Sequence, residues 1–378
     1  MSKKLPWLII NGSALAHPFV GQGAYTLRLV QALQRRVPEE FAIVVPHGNM
    51  VPSQVRHTAV LELPRFTGLK HDLTQEILTN NRMTRFVCRN FPEAVFHSPG
   101  PIASRYRPHR AVVTLHDCIY RSFPNYLGRF LIRRIYMRAT ERFATKASLV
   151  LTDSVFSKDQ LVHKVGIDAD RVEVLYPWVS NEFLTPMPDE EISALRTRLG
   201  LPERFWLYLG GYDYRKNIEF LLEAYAKAAS ARSLPPLVLA GAIPASHSRV
   251  TCDVLGTLKR LQLSETQIRL PGLIPVDELP ALYRSASLLI YPSLMEGFGL
   301  PPAEAMAVGT AVLASNASSI PEVVQKTECL FDPADEESLV EKLLAAAKDE
   351  TMFSASLSPA FTESYGIDRY LQLIRKVA

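Results

Sequence analysis

The stretch Pro292-Ser293-Leu294-Met295-Glu296-Gly297-Phe298-Gly299-Leu300-Pro301-Pro302-Ala303-Glu304-Ala305-Met306 lies between an apolar run, Ser287–Tyr291, and a helix-forming segment, Pro302–Val308. Gly297 and Gly299 let the backbone approach a ligand closely. Pro301 or Pro302 suits the first turn of a helix. The N–H groups at such a helix start form an anion site suited to a diphosphate. Glu296 precedes the helix and Glu304 lies inside it, and carboxylates flanking a phosphate site can accept hydrogen bonds from sugar hydroxyls. Spacing alone equally admits Glu296 as a loop acid and Glu304 as an exposed helix acid.

Outward from this stretch, strands alternate with helices. In the first half Leu5–Ile10, Phe41–Pro46, Ala94–His97, Ala111–Leu115, Leu149–Leu151 and Val172–Leu175 read as short buried strands. Gly21–Arg36, Asp72–Cys88, Leu127–Lys146 and Ser154–Val165 read as helices, the last capped by Asp153 or Ser154. Tyr176 to Asp189 carries Pro177, Pro186 and Pro188 and reads as a linker. The alternation then restarts with strands Trp206–Leu209, Pro236–Ala240, Ile268–Leu270, Ser287–Tyr291 and Ala311–Ala314. Helices Ile218–Ala229, Val276–Ser285, Pro302–Val308, Ser338–Lys348 and Asp368–Ala378 accompany them. This pattern predicts an α/β chain of two doubly wound, Rossmann-like domains, 1–177 and 178–360, facing across a cleft, with a terminal helix in 361–378.

A length of 378 residues fits two domains. The chain is 47% apolar and 21% charged, which excludes disordered, collagenous and coiled-coil classes. No apolar run approaches the ~20 residues of a membrane-spanning helix. Trp7-Leu8-Ile9-Ile10 is too short for the core of a signal peptide. Cys88, Cys118, Cys252 and Cys329 show no paired spacing and read as reduced thiols of a cytoplasmic protein.

Charge is unevenly spread. Residues 1–180 hold 24 basic and 13 acidic side chains, a net of +11, and the remainder holds 18 and 25, a net of −7. Such asymmetry points to an anionic partner for the first half. Within Leu127–Lys146, Leu127, Leu131, Ile135, Ala139 and Phe143 form one apolar face. Arg134, Arg138 and Arg142 form a basic stripe beside it, with Arg129 and Arg133 a turn earlier. This suits either an anionic membrane or a surface helix with its apolar side in the core. Arg105, Arg107, Arg110 and Arg121 lie nearby and favour the membrane. No recognition motif for nucleic acid accompanies the charge.

Four further elements bear on chemistry. Leu209-Gly210-Gly211-Tyr212-Asp213-Tyr214-Arg215-Lys216-Asn217 follows a strand and opens a helix, where cations oppose the helix dipole. Arg215 and Lys216 there could neutralise a leaving diphosphate. Gly21-Gln22-Gly23-Ala24-Tyr25 opens the first helix, but Thr26 stands where a dinucleotide fingerprint needs its third glycine. His116-Asp117 ends one strand, and His97-Ser98-Pro99-Gly100 ends another and could also face the cleft. Asp168-Ala169-Asp170 is formally a metal–diphosphate motif, but it sits in a turn and reads as structural.

The segment Pro271–Val324 resembles the retaining glycosyltransferases of family 4, which have the GT-B architecture. It carries a Pro-Gly-Leu turn, Asp277-Glu278-Leu279, Leu282-Tyr283, the Glu296–Glu304 pair in the family's E-x7-E spacing, and Ser315-Asn316-Ala317-Ser318-Ser319-Ile320-Pro321-Glu322-Val323. The resemblance implies that Glu296 holds the donor sugar's hydroxyls and that Glu304 binds the nucleotide ribose. It also implies that the backbone of Gly297, Phe298, Gly299 and Leu300 cradles the diphosphate, near Gly210. Lys216 and Arg215 would be the phosphate-binding pair. Many members carry arginine where this chain has Gly211, so Arg215 would substitute for it. Gly21 and Gly23 would contact the donor diphosphate from the other domain, and His116 would face the donor sugar.

The resemblance further implies an acceptor-binding first domain, a nucleotide-sugar-binding second domain and a terminal helix that crosses back to the first. The expected activity is retaining, metal-independent hexosyl transfer in cell-surface polysaccharide synthesis, with no cofactor. UDP-glucose is the first expected donor and GDP-mannose the second. The expected acceptor is a glycan or polyprenyl-linked glycan, and the expected place is the cytoplasm, peripheral on the plasma membrane through Leu127–Lys146. A UDP-sugar 2-epimerase of the same architecture and a non-catalytic nucleotide-sugar-binding scaffold are the competing readings.

Overall fold

A computed structural model describes residues 6–17, 21–46, 52–55, 59–63, 72–127, 131–244, 248 and 250–378. The chain divides into two units, Met1–Pro177 with Glu363–Ala378, and Trp178–Thr362. The first holds seven parallel strands: β1 (Leu8–Asn11), β2 (Phe41–Pro46), β3 (Ala59–Leu63), β4 (Val95–Ser98), β5 (Ala111–Thr114), β6 (Leu149–Thr152) and β7 (Val172–Val174). Their order is β3-β2-β1-β4-β5-β6-β7. Leu8 of β1 pairs with Phe41 on one side and Val95 on the other. Strands covered on both faces are apolar almost throughout, as in Leu8-Ile9-Ile10, whose three residues are fully buried.

The second unit holds β8 (Trp206–Leu209), β9 (Leu237–Ala240), β10 (Ile268–Gly272), β11 (Leu288–Tyr291), β12 (Ala311–Ser315) and β13 (Leu330–Phe331). These six parallel strands run in the order β10-β9-β8-β11-β12-β13. In each sheet the chain winds outward one way and then the other. The reversal falls between β1 and β4 in the first unit and between β8 and β11 in the second. Ligands of open α/β sheets bind beyond the carboxyl ends of the strands at such reversals.

Several elements differ from expectation. The edge strand β3 was not anticipated: its Ala-Val-Leu-Glu-Leu sequence carries an acid, and Val60 is exposed. The expected linker ends in a helix, Asp189–Leu199. Asp189, Glu190 and Glu191 in its first turn complement the dipole, and Gly200 closes it in the left-handed conformation. The helix expected over Leu127–Lys146 runs over Leu131–Ala144, and residues 128–130, which include Arg129, lie outside the described residues. The expected helix Ser154–Val165 is α-helical over Val155–Gln160 and continues as a π-helical turn to Val165. Ser154 caps it, its hydroxyl accepting from the Ser157 amide at 2.9 Å.

The terminal helix spans Glu363–Arg375 and packs within the first unit. Glu363 accepts two bonds from Arg35 (2.9 and 2.6 Å), and Arg36 meets Asp368 at 2.7 Å. Exposed pairs of this kind add little. The stronger tie is internal: His97, fully buried at the end of β4, bonds Tyr370 of this helix at 2.8 Å and Thr114 at 2.9 Å. Burial, with the nearby charge of His116, pushes the His97 pKa down to about 3. His97 is therefore a neutral packing residue, and the expectation that it faces a cleft is corrected.

Candidate active site

In the second unit the sheet reversal brings together four side chains from two loops. After β8 the chain turns through Tyr214–Lys216, and Asn217 takes a left-handed conformation (φ 56°) before the helix Ile218–Ala231 begins. Asparagine tolerates that conformation better than most residues. Arg215 and Lys216 thus belong to a tight turn that precedes the helix. After β11, Glu296 lies in the loop that leads to the helix Leu300–Ala307. Lys216 Nζ reaches Glu296 Oε1 at 2.8 Å and the Tyr291 hydroxyl at 3.1 Å. Arg215 donates to Glu296 Oε2 at 2.8 Å and to the Met295 carbonyl at 3.1 Å, and its Nε lies 3.1 Å from Asp213.

The cluster holds two cations and two carboxylates. Lys216 and Glu296 are each only 8% exposed. Burial alone would raise the Glu296 pKa, but Lys216 and Arg215 outweigh it and hold the carboxyl down at about 2. Arg215, although desolvated, is pushed above its ordinary value by Glu296 and Asp213. Both cations keep further donors beyond those used here, so a diphosphate can be bound without breaking the cluster.

The Glu296 loop is fixed from behind. The Glu296 amide donates to Ser318 Oγ at 2.9 Å, and Ser319 Oγ donates to the carbonyls of Glu296 (3.0 Å) and Phe298 (2.8 Å). Phe298 packs edge-on against Phe361 at 5.1 Å. Gly297 lies in this loop, buried. Gly299 has φ 113°, which only glycine adopts without strain, and it lets Leu300 start the helix. Glu304 is buried and accepts from the Tyr283 hydroxyl at 3.1 Å, so the alternative of an exposed helix acid is corrected. Gly210 closes β8, at the mouth of the Lys216 loop.

In the first unit, Gly21 opens the helix Gly21–Arg36, and Gly23 lies under the His17 carbonyl. A Cβ at residue 23 would meet that oxygen at 1.9 Å. Tyr25 carries the glycine segment to His116, with ring centroids 4.7 Å apart. His116 Nδ1 lies 3.0 Å from Asp153 Oδ2, and Nε2 lies 3.3 Å from the Pro99 carbonyl. Burial alone would lower the His116 pKa, yet the Asp153 carboxylate lifts it above the ordinary value. Asp153 was expected only as a helix cap. Because Ser154 takes that role, Asp153 serves the histidine instead.

Asp168 pairs with Arg171, as a turn acid does. The expected arginine cluster is divided. Arg121 forks onto Glu141 at 2.8 and 2.6 Å, and Arg110 lies 3.6 Å from Glu93. Arg105 and Arg107 instead line a cavity of about 430 Å3 with Arg142 and Lys146.

Two doubly wound parallel units, one with a buried carboxylate–cation cluster at its sheet reversal, have the architecture of the GT-B class of glycosyltransferases. Residues 192–360 match the family model described as Glycosyl transferases group 1, and residues 19–183 match that described as Glycosyltransferase Family 4. O-antigen chain mannosyltransferase B of Escherichia coli is 30% identical over 362 residues, which cover 91% of each protein. The serotype-specific mannosyltransferase WbdA of Escherichia coli is 32% identical over 282 residues, 71% of this chain and 34% of that protein. Among solved structures, the sucrose-phosphate synthase of Thermosynechococcus elongatus superposes with a TM-score of 0.74 at 18% identity, covering 99% of both chains, and shares the fold. The chain belongs to glycosyltransferase family 4.

Proposed function

We propose that this glycosyltransferase moves mannose from GDP-mannose to a growing cell-surface glycan of the O-antigen type, with retention of anomeric configuration and without a metal ion. The observation that carries the reading is the Lys216–Glu296–Arg215 cluster at the reversal of the second sheet. As the bond between the anomeric carbon and the diphosphate breaks, negative charge builds on the leaving oxygen. Lys216 and Arg215 stand ready to meet it, with little reorganisation required. Glu296, ionised between them, accepts from hydroxyls of the donor sugar. Glu304 takes the ribose, and Gly297 to Leu300 together with Gly210 form the seat of the diphosphate. The family resemblance extends the proposal to His116, Gly21 and Gly23 of the first unit as donor-contacting residues.

Mannose is preferred over the glucose first expected because the relatives aligned above are named mannosyltransferases. Family membership weighs against the epimerase reading. The experiment is nucleotide release from GDP-mannose, UDP-glucose, UDP-galactose, UDP-N-acetylglucosamine and GDP-fucose, each with EDTA. Release of GDP from GDP-mannose alone is the expected result. Release of UDP, or a requirement for a divalent ion, would overturn the donor or the metal part respectively. Binding of every donor without turnover would return the scaffold reading.

We also propose that the enzyme works in the cytoplasm and rests on an anionic membrane through the helix Leu131–Ala144. Leu131 and Ile135 stand 71% and 52% exposed, and Arg134 and Arg138 are exposed on the same helix. The face read from the sequence as one apolar stripe is split, because Phe143 turns into the core. Among the described residues no helix is long and apolar enough to cross a membrane. Insertion of two aliphatic side chains is worth about 1.5–3 kcal/mol each. Leu131→Ser with Ile135→Ser should therefore weaken binding to phosphatidylglycerol vesicles at least tenfold at low salt. Equal sedimentation of the variant and the wild type would remove the proposal.

A further inference from the structure

The arginine-lined cavity on the flank of the first unit takes no part in the chemistry described above. It lies between the helices Asp72–Asn90 and Leu131–Ala144 and the segment that joins β4 to β5. Arg107 comes shortly before β5 begins at Ala111, and Arg142 and Lys146 come shortly before β6 begins at Leu149. These cations therefore sit toward the amino ends of the strands, whereas ligands at the sheet reversal bind beyond the carboxyl ends. The volume, about 430 Å3, is that of a small-ligand site.

The charge of the lining is one-sided. Arg105, Arg107, Arg142 and Lys146 line the cavity, and no acid does. Among the described residues none of the four has a carboxylate partner, whereas Arg110 and Arg121 meet Glu93 and Glu141. A helix C-terminus supplies roughly half a negative charge. That suits Arg142 in the last turn of Leu131–Ala144, but it does not balance two further arginines brought in from another segment. Like charges gathered against the apolar walls of Ile77, Ala103, Ala139 and Phe143 repel, and a bound anion relieves them.

The cavity is also preformed. Asn81 Oδ1 accepts from the Arg105 amide at 2.9 Å and from Ser104 Oγ at 3.2 Å. The Ser104 hydroxyl meets that of fully buried Thr84 at 2.7 Å, which pins the arginine segment to the helix Asp72–Asn90. The Arg105 guanidinium donates to the Tyr106 hydroxyl at 2.8 Å and lies over its ring. That bond, with the charges of Arg105, Arg85 and Arg89, pulls the Tyr106 pKa below its ordinary value. Guanidinium groups fork onto phosphate oxygens. A phosphate monoester, with three acceptor oxygens and up to two charges, engages such a set more fully than a carboxylate does.

The helix Leu131–Ala144 indicates where that phosphate comes from. Exposed Leu131 and Ile135 precede Ala139 of the cavity at four-residue spacing, so they share one side of the helix. One turn, about 5.4 Å, separates Ile135 from Ala139. We infer that the cavity binds a phosphate group remote from the catalytic cluster, and that this phosphate belongs to the headgroup of an anionic lipid whose chains lie against Leu131 and Ile135. The lipid part rests on the membrane reading proposed above and deepens it. The phosphate part is independent of the sugar donor.

The full-length protein is titrated by calorimetry, at fixed ionic strength, with glycerol 3-phosphate and with dihexanoyl phosphatidate below its micelle concentration. The two probes carry the same phosphate monoester and differ in their acyl chains. Both should bind one-to-one, the lipid about tenfold more tightly. Arg105→Gln with Arg107→Gln should weaken glycerol 3-phosphate at least tenfold. Arg134→Gln with Arg138→Gln removes the same charge from the exposed helix outside the cavity and should change that affinity less than threefold. Leu131→Ser with Ile135→Ser should erase the advantage of the lipid and leave glycerol 3-phosphate unchanged. Absence of saturable binding by either probe overturns the inference, as does an equal loss in the two arginine pairs. Equal affinity for the two probes in the wild type overturns the lipid part and leaves a site for free phosphate. Sedimentation with phosphatidylglycerol vesicles is measured in parallel, and its failure beside intact glycerol 3-phosphate binding would count against the membrane reading alone.

Discussion

Glu296→Gln should lower turnover at least about a hundredfold and destabilise the second unit by about 3 kcal/mol. The glutamine keeps the shape of the side chain but leaves Lys216 and Arg215 without the charge that each meets at 2.8 Å. Breaking one member out of a buried ionic group costs about 3–5 kcal/mol, because the partners stay buried and uncompensated. Arg215 retains Asp213 at 3.1 Å, which places the loss at the lower end of that range. The catalytic loss adds to this. The amide offers a weaker acceptor to the sugar hydroxyls, and the two cations lose the anchor that aims them at the leaving group. Urea unfolding and nucleotide release from GDP-mannose measure the two effects independently. A variant with wild-type midpoint and wild-type rate would show that the cluster serves neither purpose.

The same substitution carries a pH signature. The folded-state pKa of Glu296, about 2, lies below the ordinary ~4.3 of a glutamate. Between those values the unfolded chain binds the proton and the folded chain does not. The carboxylate therefore contributes its stability fully above about pH 5, and that contribution, about 3 kcal/mol, is lost as the pH falls toward 2. The stability gap between wild type and Glu296→Gln should be widest at neutral pH and narrow on acidification.

The fold was legible because its signals are local and repeated. A parallel strand covered on both faces must be apolar throughout, and Phe41–Pro46, Trp206–Leu209 and Ala111–Thr114 announce themselves on that ground alone. β3 lies at a sheet edge, where the requirement relaxes, and its glutamate broke the pattern. The helix Asp189–Leu199 hid behind Pro186 and Pro188, which read as linker although a proline just before a helix is a common start.

The site was legible where function demands a strained or charge-dense sequence. Glu296, Gly299 and the Arg215-Lys216 pair violate local preference, and such violations attract attention. What escaped were residues whose roles depend on contacts distant in sequence. Asp153 lies 37 residues from His116, and an acid before a helix is first read as a cap. Ser318 and Ser319 hold the Glu296 loop from more than twenty residues away.

Lys216→Met should reduce kcat by roughly two to three orders of magnitude, while the KM for the donor changes less than tenfold. The methionine preserves the apolar stem and removes the charge. The pair that remains, Arg215 with Glu296, still fixes the loop, so the structural cost should be smaller than for Glu296→Gln. Glu296 then has one neighbouring cation instead of two, and its pKa should climb because one of the two charges that oppose burial is gone. The rate falls because the bound donor already carries its diphosphate charge, whereas the leaving oxygen acquires its charge only as the bond breaks. A cation aimed at that oxygen stabilises the transition state more than the ground state. Lys216→Arg should not restore the rate. The Nζ sits 2.8 Å from Glu296 and 3.1 Å from the Tyr291 hydroxyl, a compact niche that a planar guanidinium does not fit. If the loss appeared in donor KM with kcat preserved, Lys216 would hold the ground-state diphosphate, and the burden of leaving-group stabilisation would pass to Arg215 and the helix that starts at Leu300.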